Sequence, residues 1–320
     1  MPVRFSSPSL GEGSRPQLKA HQWQIDLSYR YLPADQWYVG SNVQESSAPF
    51  WKPLFLNLYS LDISVDYGVT DRLSLTLALP FSHGTHSRFY GQDGKRHKVS
   101  AAGLGDVSFG GTVWLWNPAK HPHSNISLGL GVKTPSGDNT ATDQVFLANG
   151  SVIQPPVDQS IQLGDGGWGI IFQAQAFWPL FRRAAGYAYG WYLMTPKEKT
   201  TVPSPIPGVP LSVPDVYSTR LGMAYALWPA RGLSASMGIR IDAIPIRDLA
   251  GGNDGFRRPG YSLYLDPGVS FVHGRSTFTM NIPVRVYQDF KRSIVDVQKN
   301  SPGGGDLARY LILAVYSVRF

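Results

Sequence analysis

The chain ends on LARYLILAVYSVRF, residues 307–320, in which apolar and polar side chains alternate. Successive side chains of a β-strand point to opposite faces. The even-numbered residues from Tyr310 to Phe320 are all apolar and share one face, whereas Arg309, Ser317 and Arg319 share the other. Such a strand fits a wall between lipid and water, and it also fits one layer of a soluble sandwich, so this segment alone leaves both alternatives open.

The same alternation recurs along the chain and favours the first alternative. From Trp23 to Tyr31 the odd-numbered residues are apolar and the even-numbered ones polar, and the pattern returns in the hairpin 61–79, which turns at Thr70-Asp71-Arg72. The polar faces carry Ser, Thr, Gly, Asp and Arg rather than the Lys and Glu usual in soluble sheets. This contrast is typical of a barrel with lipid outside and water inside.

Counting the alternating segments predicts an all-β protein, a single closed antiparallel transmembrane β-barrel of about 12 strands. They are predicted near residues 22–32, 54–69, 73–81, 106–116, 126–134, 168–178, 187–194, 217–228, 233–244, 261–272, 277–287 and 307–320. The connections alternate between short and long, which predicts short periplasmic turns and long extracellular loops in a bacterial outer membrane. The first and last strands are expected to pair, because an open edge is not tolerated in lipid.

The 320 residues show no Pro/Gly/Ser-rich linker, so we expect an N-terminal periplasmic segment, residues 1–20, followed by one barrel, residues 21–320. The sequence contains no run of about 18 apolar residues, so it predicts no transmembrane helix. The first eight residues, MPVRFSSP, hold no apolar core of a secretory signal. An outer-membrane protein is expected to begin with such a signal, so its absence from these residues conflicts with the predicted location. Three alternatives remain: a mature form with a new Met, a true start further upstream, or a different localisation.

Two stretches resemble a known family: YGVTDRLSL, residues 67–75, leading into Leu79-Pro80-Phe81, and GLGDVSFG, residues 103–110. They are similar to bacterial outer-membrane proteins grouped under the meta-pathway of phenol degradation, and the early YRY and WYVG together with Phe320 extend the resemblance over nearly the whole chain. The resemblance implies a transport barrel connected with aromatic-compound catabolism, without naming the solute. The polar residues 1–20 do not match the plug of the related hydrophobic channels, which argues against a strictly hydrophobic substrate.

Strand phase predicts charges of both signs inside the lumen. The residues expected to line it are Arg30, Asp62, Asp66, Asp106, Lys133, Arg220, Arg240, Asp242, Asp266, Arg285 and Arg309, and the same phase places Asp26 and Arg319 inward. Paired charges can brace a barrel wall, or they can orient polar solutes, with the excess of Arg favouring anions. Both roles stay open at this point. A narrow lumen can also be closed by infolded loops, for which residues 135–167 and 203–214 are long enough.

The predicted function is therefore an outer-membrane channel for small solutes, aromatic or organic-acid compounds among them. The alternatives are a structural or adhesive surface barrel and, with less support, an outer-membrane lipolytic enzyme. We expect no enzyme, because the seven histidines fall in predicted loops, turns or the start of the first strand, and no metal or cofactor. The expected partners are membrane lipid and lipopolysaccharide, a small-molecule solute, and the barrel-assembly machinery, through the last strand. No interleaved run of basic and aromatic residues indicates nucleic acid.

Overall fold

The computed structural model describes residues 17–44, 55–88, 95–147, 149–197, 199–200, 204 and 208–320, and these residues form one closed antiparallel barrel. The prediction of 12 strands is confirmed. They are β1 Trp23–Val39, β2 Phe55–Gly68, β3 Leu73–Arg88, β4 His97–Leu104 continued by Ser108–Trp114, β5 Asn125–Lys133, β6 Gly169–Phe181, β7 Ala184–Met194, β8 Val216–Trp228, β9 Leu233–Ile244, β10 Gly260–His273, β11 Ser276–Asn281 continued by Val284–Phe290, and β12 Gly305–Ala308 continued by Ile312–Arg319.

Each strand pairs with its neighbours in sequence, and β12 pairs back onto β1. The closing register runs from Gln24 opposite Arg319 to Tyr31 opposite Ile312. The backbone N–H of Phe320 donates to the carbonyl oxygen of Trp23 at 2.8 Å, which completes the pairing at the end of the chain. The predicted closure is thus confirmed, and it leaves no open edge in the barrel wall.

The loops carry little regular structure of their own. The two-residue strands Val145–Phe146 and Val152–Ile153 form a small hairpin between β5 and β6, and Lys199–Thr200 pairs with Leu211–Ser212 between β7 and β8. A five-residue helix, Ile294–Gln298, lies between β11 and β12. Within the described part of the chain, no helix is long and apolar enough to cross a membrane. Residues 1–16 of the expected N-terminal segment lie outside the described residues.

The outer face of the barrel is apolar. On β3, Leu75 and Leu77 are 49% and 45% exposed, whereas Ser74 and Thr76 between them are 3% and 5% exposed and point inward. The prediction that these leucines face outward is confirmed. A continuous apolar face of this kind is unfavourable in water and favourable in lipid, so the outer surface matches a membrane-embedded band.

Aromatic side chains border this band at both ends. At the short-turn end, Trp23 packs on Tyr67 with ring centroids 4.4 Å apart, and at the long-loop end Tyr31 stacks on Tyr59 at 4.9 Å. Such girdles sit at the headgroup level on each side of the bilayer. Trp116, Trp178 and Trp228 also reach the outer surface, whereas Trp114 and Trp191 are buried inside the barrel.

Several strands reach further towards the long loops than the sequence predicted. β1 continues through Pro33 to Val39, and β3 continues through Pro80 to Arg88, whereas these strands were predicted to end near residues 32 and 81. Pro80 still pairs with Asp62 on β2, and its carbonyl oxygen accepts the N–H of Gly105 at the interruption of β4. Pro80 has no backbone N–H to donate, and the side on which it would donate faces the interruption of β4, where strand pairing is already broken.

The longer strands correct the expectation for the histidines. His83 and His86 lie on β3 and His97 begins β4, rather than in loops. His83 points outward and stacks on Tyr59 with ring centroids 6.0 Å apart, so it belongs to the aromatic border at the long-loop end.

The position of the lipid band makes a testable prediction. Leu27 lies on β1 midway between the two girdles and is 41% exposed, so Leu27→Arg should lower the free energy of unfolding by about 2–4 kcal/mol. Leu115→Arg, at the short-turn border, should cost only about 0–1 kcal/mol. Urea unfolding in liposomes measures both. Equal costs at the two positions would contradict the assigned depth.

Candidate functional site: the lumen

The lumen has two halves, and the half next to the long loops is filled. The loop between β5 and β6, residues 134–168, folds into the barrel, and we call it the lumen loop. Its Val157, Ile161 and Leu163 are buried against inward-facing side chains of the barrel wall. The wall residues in this cluster are Leu32, Ala34, Leu56, Leu58, Val99, Ala101, Tyr264, Ala308, Leu311 and Leu313. The loop 135–167, which the sequence analysis found long enough to close the lumen, thus fills this half of it.

The lumen loop approaches the wall closely at β3. A Cβ atom on Gly84 would lie 2.6 Å from the side chain of Ile161, so only glycine leaves room for the loop at this point. Burial by itself raises the pKa of Asp158, but the charges of His86 and Arg258 and the hydrogen bonds from Ser160 outweigh it and lower that pKa to about 2. Asp158 therefore stays ionised at neutral pH and adds an electrostatic attachment to the apolar one.

A buried lysine fixes the base of the lumen loop. The ammonium group of Lys133, at the end of β5, lies 2.9 Å from the carboxylate of Asp106 and 2.7 Å from that of Asp165, and it donates to the carbonyl oxygen of Gly167 at 2.7 Å. Asp106 also accepts the backbone N–H of Gly137 at 2.9 Å. We call Asp106, Lys133 and Asp165 the latch, because they join both ends of the lumen loop to the barrel.

Two further long loops close over the lumen loop. Arg257, in the loop after β9, donates to both carboxylate oxygens of Asp248 at 2.6 and 2.7 Å and to the hydroxyl of Ser212 at 2.8 Å. The side-chain amide of Gln159 in the lumen loop donates to the carbonyl oxygen of Ser212 at 3.3 Å. The segment 203–214, the other one long enough to close the lumen, takes part in this cover through Ser212, although 203 and 205–207 lie outside the described residues.

The half of the lumen next to the short turns holds a cavity of about 680 Å³. Its walls include small polar side chains from the strands, such as Ser64, Ser236 and Thr279. The charged side chains that line it are Asp26, Arg30, Asp62, Arg220 and Arg319. A second cavity of about 220 Å³, lined by Arg275, Arg319 and Phe320 among others, lies at the short-turn rim. Arg319 borders both cavities.

Of the residues predicted to line the lumen, Arg30, Asp62 and Arg220 border the large cavity. Arg220 forms an ion pair with Asp266 inside the barrel, and Oδ2 of Asp266 lies 2.6 Å from Nη2 and 2.7 Å from Nε of Arg220. The side-chain amide of Asn281 donates to the other oxygen of Asp266 at 3.0 Å. The hydroxyl of Ser60 donates to Asp62 at 2.6 Å. These interactions hold the charged groups against the barrel wall.

The other predicted residues are inside the barrel but away from the cavity. Arg240, 1% exposed, donates from Nε to both oxygens of Asp242 at 2.9 and 3.0 Å, and Asp66 accepts the hydroxyl of Thr76. Asp106 and Lys133 belong to the latch. Arg285 lies over the ring of Tyr38 at 4.6 Å and donates to its hydroxyl.

Arg309 is the exception among the predicted lumen residues. Its side chain is 58% exposed and pairs at 3.0 Å with Asp35 on the outer surface. The phase argument is wrong here because residues 309–311 form a bend between the two parts of β12, so the strict alternation of the strand does not continue through it.

One wall of the cavity is aromatic, and the predicted residues did not include it. Trp114 on β4, Phe177 on β6, and Tyr187 and Tyr189 on β7 line it. Trp114 meets Phe177 edge to face with centroids 5.9 Å apart. The alternation of this strand could have predicted that Phe177 points into the lumen, because it shares a face with Gln173 and Gln175. It was not predicted, because the apolar residues of the strands were expected to face lipid.

In the described part of the chain, no group of three or more His, Asp or Glu side chains is placed to hold a metal ion.

Three solved structures are similar to this chain at low sequence identity, and the first of them supports the fold. The COG4313 outer membrane channel from Pseudomonas putida F1 is similar over 96% of this chain and 100% of that one, with a TM-score of 0.63 and 17% identity. A FadL homologue of Pseudomonas aeruginosa, covering 94% and 90%, has a TM-score of 0.40 and 11% identity. The beta domain of the Bordetella autotransporter Brka, covering 95% and 100%, has a TM-score of 0.46 and 12% identity. No protein-family model and no curated protein matches the chain.

The closed 12-stranded wall, the apolar outer band with its aromatic borders and the polar interior together define a bacterial outer-membrane β-barrel. At 17% identity, the similarity to the Pseudomonas putida channel concerns the fold and does not transfer a solute.

The buried pairs predict a difference between two arginines. Arg240→Gln leaves the buried carboxylate of Asp242 without this cation and should lower the free energy of unfolding by about 3–5 kcal/mol. Arg309→Gln breaks an exposed pair and should cost about 0–1 kcal/mol. Urea titration of the two variants beside the unmodified protein tests this. A small cost for Arg240→Gln would show that Asp242 finds other partners.

Proposed function

We propose that this protein is an outer-membrane channel for small solutes, in which the lumen loop is the closure and the 680 Å³ cavity is part of the path. The observation that carries the proposal is the asymmetry of the lumen. The barrel wall continues past both halves, yet among the described residues the half at the long-loop end is filled by a loop and the other half holds a cavity. A barrel that served only as a surface scaffold has no need of a polar cavity that reaches its periplasmic rim.

The latch supports closure by a movable part. The lumen loop is attached through side-chain ion pairs and an apolar contact, whereas barrel strands are attached through continuous backbone hydrogen bonds. Side-chain attachments at one site can open without unpairing the strands. We therefore assign opening to a displacement of the lumen loop, with the barrel unchanged.

The proposed solutes are small aromatic or organic-acid compounds, taken up without a catalytic step. The mixed aromatic and arginine-containing lining of the cavity supports this class, and so does the resemblance of residues 67–81 and 103–110 to the phenol-degradation family. The structure of similar fold from Pseudomonas putida is named an outer membrane channel, which agrees with transport.

Weakening the latch should open the channel. In planar bilayers, Lys133→Gln should raise the frequency of open events at least about tenfold, because it removes charge-assisted hydrogen bonds that hold the loop. Lys120→Gln, at an exposed turn, is the matched control and should behave as the unmodified protein.

A second variant covers the case in which Lys133→Gln fails to fold. Gly137 and Gly164 lie side by side, since a Cβ on Gly137 would fall 2.8 Å from the Cα of Gly164, so residues 138–163, which carry Val157, Ile161 and Leu163, can be replaced by a short Gly-Ser linker. This variant should conduct as well. A folded barrel that conducts in neither variant would contradict the channel and favour a structural or adhesive surface barrel.

Besides membrane lipid and lipopolysaccharide around the barrel, we propose the barrel-assembly machinery as a partner of the last strand. Phe320 is 59% exposed at the short-turn rim, while its backbone closes the barrel against Trp23. Its side chain is therefore accessible where the strand must be recognised before closure.

Deleting Phe320 should reduce the amount of folded protein in the outer membrane, whereas Phe320→Tyr should leave it nearly unchanged because an aromatic end is kept. Quantitative blotting of outer-membrane fractions, with and without heating of the sample, measures folded barrel. Normal assembly of the deletion variant would mean that the terminal aromatic is incidental.

A further inference from the structure

Two side chains that line the large cavity carry hydrogen-bond donors without an acceptor in the part of the chain that the structure describes. The indole N–H of Trp114, a residue only 2% exposed, and the side-chain amide nitrogen of Gln17 have no hydrogen-bond acceptor among the described residues. Both residues line the cavity. A buried donor without an acceptor costs free energy, so these positions are suited to an acceptor that enters from outside.

The charges of the cavity point to the same kind of ligand. Arg220 is ion-paired with Asp266, and Asp26 accepts the side-chain amide of Gln24 at 2.9 Å. The guanidinium of Arg319 donates to the other end of the same neutral amide, Oε1 of Gln24, at 3.1 and 3.3 Å, so that in the described part of the chain Gln24 lies between Asp26 and Arg319. Arg319, unlike Asp26, borders both cavities and therefore lies on the way between them.

The rim strengthens this charge. Arg275, in the turn between β10 and β11, lines the smaller cavity together with Arg319, and no acidic side chain is among the residues that line it. An anion that moves between the periplasm and the large cavity therefore passes two arginines. A ring of cations at a narrow passage favours anions over neutral and cationic solutes.

The opposite wall of the cavity is apolar and planar. Phe177 lies on β6, six strands away from β12 in a ring of 12, so it faces Arg319 across the lumen. Trp114 and Tyr187 flank Phe177, and the edge-to-face contact between Trp114 and Phe177 holds the two rings in place. Aromatic ligands gain further stabilisation from offset or edge-to-face contact with such rings.

These observations lead us to propose that the large cavity is a binding site for an aromatic carboxylate, with the carboxylate at Arg319 and the ring against Trp114, Phe177 and Tyr187. The proposal rests on the proposed channel function and names the ligand class of that path. The cavity volume of about 680 Å³ falls within the range of about 300–1,000 Å³ that is usual for small-molecule sites.

Isothermal titration calorimetry of the purified full-length protein in detergent tests the site with benzoate as the probe. Benzyl alcohol keeps the ring without the charge, and cyclohexanecarboxylate keeps the charge without the aromatic ring. Benzoate should bind saturably and at least about tenfold more tightly than benzyl alcohol, because charge-assisted hydrogen bonds are the stronger ones. It should also bind several-fold more tightly than cyclohexanecarboxylate.

Variants measure separately what Arg319 and the aromatic wall contribute to binding. Arg319→Gln should weaken benzoate binding at least about tenfold and leave benzyl alcohol within about twofold. Trp114→Phe, which keeps a ring and removes the N–H donor, should weaken benzoate several-fold. Arg231→Gln, in the turn between β8 and β9, is the control and should change nothing. Heat-dependent gel mobility establishes that each variant is a folded barrel before it is titrated.

Equal affinity for benzoate and benzyl alcohol, unchanged benzoate binding in Arg319→Gln, or no saturable binding by the folded protein would overturn the proposal. The titration needs no passage through the barrel, so it is independent of conduction. Benzoate binding without conduction in the opened variants would keep the site and reject the channel. Conduction without benzoate preference would reject the site alone.

Discussion

The structure depends on the requirement that every backbone N–H and C=O within lipid finds a partner inside the protein. In a sheet this requires closure, because each open edge would expose a row of unpaired groups to hydrocarbon. The pairing of β1 with β12, from Gln24 opposite Arg319 to Tyr31 opposite Ile312, meets the requirement. Closure also fixes which side chains turn inward, so the register of this one seam sets the position of Arg319 at the mouth of the cavity.

Closure with 12 strands creates a second problem, since the interior is wider than in an eight-stranded barrel, where side chains alone fill the space. The protein solves it differently in its two halves. Near the long loops, the lumen loop brings in Val157, Ile161 and Leu163 and forms an apolar core inside the barrel. Near the short turns, the described connections between strands are too short to fill the lumen, and a cavity with a mixed polar and aromatic lining remains among the described residues.

The charges inside the barrel serve two purposes that residue type alone does not distinguish. Arg240 with Asp242, and Lys133 with Asp106 and Asp165, are buried pairs that hold the wall and the lumen loop. Arg319 binds a neutral amide and keeps its charge beside open space. The surroundings distinguish them: Arg240 and Lys133 lie within about 3 Å of a carboxylate and act as braces, whereas Arg319 donates to an amide and borders both cavities.

The sequence by itself determined the barrel, because alternation with a period of two is a local property that can be read residue by residue. It predicted the number of strands, the outward leucines of β3, the closing pair of strands and the inward face that carries Asp62 and Arg220. It failed where the phase is interrupted, as at the bend that turns Arg309 outward, and where strands continue through Pro33 and Pro80.

Only the tertiary structure decided which inward charges are paired and which half of the lumen is open. Asp165 and Arg257 lie in loops without any periodic signal, and their partners are 32 and 9 residues away in sequence. The aromatic wall of Trp114, Phe177 and Tyr187 forms because three strands that are not all consecutive bend around one cavity. Such contacts depend on the closed ring and on the path of the lumen loop, and neither is encoded in the spacing of residues along a single strand.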